Sequence, residues 1–108
     1  MEQSWLEYEY NIQRQLLLFN EVVKHLTSIG FSLENKGVLD IHLHYLDAVH
    51  EVTVEMDEQD GTMAVDVYEY NLVTKLHSST SWVMLTAEYN ADEMIQRLQN
   101  SFHFSKLR

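Results

Sequence analysis

The sequence predicts a two-layer α+β domain with a long N-terminal helix, a four-stranded antiparallel meander sheet and a C-terminal helix. Three observations predict it: a long opening segment with helical apolar spacing, an alternating stretch from Leu39 to Leu72 broken by turn residues, and a capped amphipathic segment after Asn90.

Ser4-Trp5-Leu6-Glu7 has capping-box spacing, with Ser4 as N-cap and Glu7 reaching back from the third helical position. Gly30 supplies a residue that tolerates a left-handed C-terminal cap. The first helix is therefore expected from Trp5 to Ile29, about 40 Å long at 1.5 Å per residue. Ile12, Leu16, Phe19, Val23 and Leu26 form its stripe, and Leu18, Val22 and Ile29 widen it.

The polar run Glu34-Asn35-Lys36-Gly37 reads as a turn, followed by the meander. With the first turn at Asp47-Ala48, Leu46 faces Val49, Tyr45 faces His50, Leu43 faces Val52, Ile41 faces Val54 and Leu39 faces Met56. A four-residue connection, Glu58-Gln59-Asp60-Gly61, then sets Met56 against Met63, Val54 against Val65 and Val52 against Val67. One face stays apolar across both hairpins, and a one-residue slip would destroy it. The fourth strand, Thr80 to Tyr89, is expected to pair Tyr70 with Met84 and Leu72 with Trp82 across a Lys75–Ser79 loop. Asn90 caps the last helix, Asp92 and Glu93 suit its positive start, and Met94, Ile95, Leu98 and Phe102 make its buried stripe. The tail from Phe104 to Arg108 is expected to fray.

A chain of 108 residues supports one domain, 1–108, and 45% hydrophobic residues can offset the entropy of ordering it. No cysteine is present, which removes disulfides and thiolate metal sites and fits a reducing cytoplasm. Met1-Glu2-Gln3-Ser4 lacks the basic start of a signal peptide, and no apolar run approaches the roughly 18 residues that span a bilayer. These features predict a soluble, cytoplasmic protein.

Charge is the most unevenly distributed property. Nine of the seventeen carboxylates lie between Gly37 and Thr74, where there is no Lys or Arg, so nearly all of the net charge of −10 belongs to the sheet. Such a field disfavours direct binding to nucleic acid or anionic membranes and favours a basic protein partner. The expected outer face carries Asp40, Glu55 and Ala64, then His42, Thr53 and Asp66, then His44, Glu51, Tyr68 and Thr86. Leu46, Val49, Tyr70 and Met84, with Leu72 beside Trp82, are expected to form an adjoining apolar row of the kind that marks interfaces.

The chain is accordingly read as a non-catalytic acidic protein-binding module, an inhibitor, immunity or adaptor protein. Its target is a basic surface, such as that of a nucleic-acid-processing enzyme or toxin. The binding residues are Asp40, Glu51, Glu55, Asp57, Glu58, Asp60 and Asp66, with Tyr68, Tyr70 and Trp82 as anchors. The alternative is a homodimeric, secretion-chaperone-like protein joined through the apolar row and the wide first helix. Less favoured is a His/carboxylate metal protein or enzyme using His42, His44, Glu51 and Asp66. No nucleophile elbow, phosphate loop or HExxH helix supports catalysis, and Asp57 to Gly61 lacks the frame of a calcium loop. No cofactor or metal is assigned.

Overall fold

The computed structural model describes residues 2–37, 40–85, 88 and 90–103, with side chains from residue 13 onward. The order is α1 (Glu2–Ser28), β1 (Ser32–Lys36), β2 (Asp40–Leu46), β3 (His50–Gln59), β4 (Thr62–Asn71), β5 (His77–Leu85) and α2 (Ala91–Ser101). The architecture is α+β, and the strands form one antiparallel sheet in the order β1-β2-β3-β4-β5. The sheet has five strands where four are expected.

α1 begins at Glu2, ahead of Trp5, and the side chains of the Ser4–Glu7 capping box lie outside the described residues. It ends as expected. Gly30 has φ +113°, Phe31 N–H bonds to the Leu26 carbonyl at 3.0 Å, and Gly30 N–H bonds to that of Thr27 at 3.2 Å. This paired arrangement is a Schellman cap. A side chain at Gly30 would also meet the Tyr45 ring at 3.1 Å, so both conformation and space require glycine. Leu18, Phe19, Val22 and Leu26 are buried, whereas Leu16 and Val23 are only partly so. The buried stripe is thus turned by about one residue from the expected one, because α2 lies along its flank. Gln99 of α2 meets the His25 ring at 3.1 Å, and Phe102 stacks on Phe31 with centroids 5.8 Å apart.

The inner face of the sheet follows the alternation. Ile41, Leu43, Tyr45, Val52, Val54, Met56, Met63, Val65 and Val67 are buried beneath the helices. The registers differ from the expected ones. Leu43 faces Val54 rather than Val52, and Ile41 faces Met56. Likewise Met56 faces Val65 rather than Met63, and Val54 faces Val67. Both slips are of two residues, so the faces are kept; the turn chemistry decides between them.

In the β2–β3 turn, one Asp47 carboxylate oxygen accepts from Val49 N–H at 2.8 Å and His50 N–H at 2.7 Å. The other accepts from the Tyr45 hydroxyl at 2.9 Å. In the β3–β4 turn Gln59 faces Thr62, so Asp60 and Gly61, with φ +54° and +83°, make a two-residue turn with both φ values positive in place of a four-residue loop.

β5 departs most from the sequence reading. It starts at His77, and its register sets Met84 against Met63 and Trp82 against Val65. This offset is odd, so Met84 and Trp82 face the helices rather than the outer side. Met84 is buried, and Trp82 packs against the core beneath the Arg97 guanidinium, 5.0 Å from its ring centroid. β1 occupies the expected Glu34–Gly37 turn. It is entirely exposed, and pairing with β2 holds it despite its polar sequence. Leu39, Thr86 and Tyr89 lie outside the described residues, as does the tail from Phe104.

The α2 cap agrees with expectation: the Asn90 side chain accepts from Glu93 N–H at 2.9 Å, and Met94, Leu98 and Phe102 are fully buried. Among the described residues, no helix is long and apolar enough to cross a membrane.

Candidate functional site

Both helices lie on one side of the sheet, which leaves the other side to solvent. Side chains alternate between faces, so Asp40, His42, His44 and Leu46 of β2 project outward with Glu51, Thr53, Glu55 and Asp57 of β3. Thr62, Ala64, Asp66, Tyr68 and Tyr70 continue the face on β4, and the odd residues of β5 complete it. None of these is buried.

Register turns this list into rows. One row is Asp40, Asp57, Ala64 and Val83; the next is His42, Glu55, Asp66 and Ser81. The third is His44, Thr53, Tyr68 and Ser79, and the fourth is Leu46, Glu51, Tyr70 and His77. Two pairs of carboxylates, Asp40 with Asp57 and Glu55 with Asp66, therefore stand directly opposite each other in neighbouring rows. Like charges in that position destabilise a sheet. The expected rows opposed Asp40 to Glu55 and left Asp57 and Asp66 without an opposed acid; the two-residue slips make two opposed couples of these four.

No Lys or Arg occurs in β2, β3, β4 or β5. Lys36 of β1 points to the helix layer, where its ammonium donates to Asn20 Oδ1 at 2.9 Å. Compensation within the face is partial. His42 approaches Asp40 at 3.2 Å, and His44 approaches Glu51 at 3.0 Å and Glu34 at 3.5 Å. Asp66 accepts from the Ser81 hydroxyl at 2.6 Å. The Tyr68 hydroxyl reports the field: the Asp66 charge, then burial, then the Glu55 charge push its pKa above the usual 10.

The other sequence-predicted residues fall in different places. Asp57 belongs to the face, not to a turn. Glu58 points to the helix side, where its carboxylate takes a bond from Gln15 Nε2 at 3.3 Å and one from Gly61 N–H at 2.8 Å. Asp60 is at the turn tip. Trp82 is on the opposite face, and its indole N–H finds no hydrogen-bond partner among the described residues. With Met84 also inward, the expected apolar row is not assembled. In its place Tyr70 stacks on His77 at 4.3 Å, at the edge of an open depression lined by Glu51, Thr53, Tyr68 and Ser79. The sequence expectation starts this strand at Thr80 and so omits His77 and Ser79, because the polar run from Ser78 to Ser81 has no alternation to mark it.

Among the described residues, no three His, Asp or Glu side chains converge as a metal site. His42 and His44 instead turn to separate carboxylates. No family model matches the chain, and neither any curated protein nor any solved structure matches it significantly.

Proposed function

We propose that the chain is a non-catalytic binding module whose open acidic face engages a basic surface of a protein partner. The observation that carries this reading is the pair of opposed carboxylate couples, Asp40 with Asp57 and Glu55 with Asp66, on a face without Lys or Arg. A sheet selected for stability alone would separate these charges or pair them with bases. A partner that supplies Lys or Arg relieves the repulsion on binding, and the same field steers its approach. The flanking Tyr68 and Tyr70 offer aromatic contact, and Tyr68 is 45% exposed.

The test is charge reversal. A chain carrying Glu55→Lys, Asp57→Lys and Asp66→Lys should keep its circular dichroism spectrum and lose the basic protein that the unaltered chain retains from a lysate at low salt. Undiminished retention would overturn the reading. Raising the salt should release the partner, because exposed charges are screened within about 10 Å at 0.1 M.

A further inference from the structure

The two edges of the sheet are built differently. β1 is short, carries Glu34 and Lys36, and has a register irregularity between Leu33 and Asn35. Charges, shortness and bulges are the devices that keep an edge from pairing with another strand. β5 has none of them. It is nine residues long, contains no Asp, Glu, Lys, Arg or Pro, and pairs with β4 without interruption from His77 to Leu85.

Among the described residues no strand pairs with this edge, and its outward hydrogen-bonding groups can be assigned. Asn71 N–H bonds to the Leu76 carbonyl at 2.9 Å, which makes that pair a hydrogen-bonded one in the β4–β5 ladder. Antiparallel ladders alternate, so the even residues of β5 bond to β4 and the odd residues turn their N–H and C=O groups outward. These are His77, Ser79, Ser81, Val83 and Leu85, and all five are exposed. Their side chains lie on the acidic face.

We propose that the β5 edge takes up an extended, lysine- or arginine-bearing segment of the partner as an added antiparallel strand. The inference rests on the acidic-face reading and specifies how the partner sits. Charge complementarity selects this occupant. A residue opposite Ser81 projects over the same face as Asp66, two strand spacings or about 10 Å away. A stretched Lys side chain and the Asp66 carboxylate can close that distance, and Ser81, already bonded to Asp66, is small enough to be crossed. Residues opposite Ser79 and Val83 meet Tyr68 and Ala64 behind them. Backbone bonds would supply affinity and the alternating basic side chains selectivity, as in other strand-addition complexes.

A peptide of alternating lysine and threonine, as long as β5, provides the test. In the antiparallel orientation the lysines on the acidic face are also the residues whose N–H groups reach β5. Methylating the lysine amide nitrogens should weaken binding at least tenfold, whereas methylating the threonine amides should not. Hydrogen exchange at Ser79, Ser81 and Val83 should slow on binding the unmethylated peptide. Ser79→Pro removes one outward N–H without touching the β4 ladder, and should weaken binding while the chain still unfolds cooperatively. Equal binding of both methylated peptides, with no protection at those amides, overturns the added strand and leaves the acidic-face reading standing. No binding of any peptide at low salt overturns both. Protection of the same amides in the protein alone, rising with its concentration, would assign the edge to a second copy and overturn the proposal.

Discussion

Val54 and Glu55 are neighbours in β3 and belong to opposite designs. Val54 points inward between Leu43 and Val67, wholly buried, and each of its neighbours improves its packing. Glu55 points outward between His42 and Asp66, where one neighbour repels it. Around Val54 the inner face sets apolar residues against apolar ones, whereas the outer face twice sets like charges opposite each other. The difference separates residues that hold the fold from residues whose arrangement folding alone does not explain.

Substitution should expose the contrast most strongly at Val54→Asp. An unpaired carboxylate in the core costs several kcal/mol, enough to unfold a domain of this size at 25 °C. A cooperative thermal transition in that variant would break the distinction between the faces. Next in size is Asp47→Ala, since Asp47 is a carboxylate that the chain itself satisfies. Bonds from Val49 N–H, then His50 N–H, with the Tyr45 hydroxyl and the His50 charge, lower its pKa from 3.8 to about 2. Because the folded value is depressed, its contribution is complete above the unfolded pKa and fades as pH falls from about 3.8 through about 2. The variant should melt lower at pH 6 and lose part of the acid dependence in that window.

Glu55→Gln should act in the opposite sense to both. Removing one of two opposed charges is expected to stabilise the free protein by about 0.2–1 kcal/mol, read by urea denaturation. A loss of stability there would show that the acids are tied into the fold after all. The finest probe is Tyr68. Asp66→Asn should bring its raised pKa back toward 10, followed by the tyrosyl NMR signal in alkaline titration. A bound cationic peptide should shift it the same way.

The two faces were unequally legible from the sequence. Alternation with period two identified Ile41, Leu43, Val52 and Val54 as inward, but period two leaves even slips undetermined. Asp60-Gly61 and the Asp47 side chain chose between the remaining registers, and reading the four residues from Glu58 to Gly61 as a loop overlooked the positive-φ turn. The outer rows depend on absolute register: the expected one opposes Asp40 to Glu55, whereas the observed one opposes Asp40 to Asp57 and Glu55 to Asp66. β5 failed for another reason. The consecutive Trp82, Val83, Met84 and Leu85 carry no alternation, and the serines before them do not announce a strand. β1 was illegible because its five exposed residues owe their conformation to β2. The helix caps at Gly30 and Asn90 were readable because they are local.

The meander has a kinetic corollary. Each strand pairs with the one beside it in the chain, so the sheet can zip hairpin by hairpin over short loops, the arrangement that favours rapid folding. Contacts between the two ends of the chain, His25 with Gln99 and Phe31 with Phe102, join the parts farthest apart in sequence among the described hydrogen bonds and ring contacts. That closure carries the greatest loop entropy. Truncating Phe102 should therefore accelerate unfolding while leaving the refolding rate nearly unchanged, the signature of a clasp that fastens after the transition state.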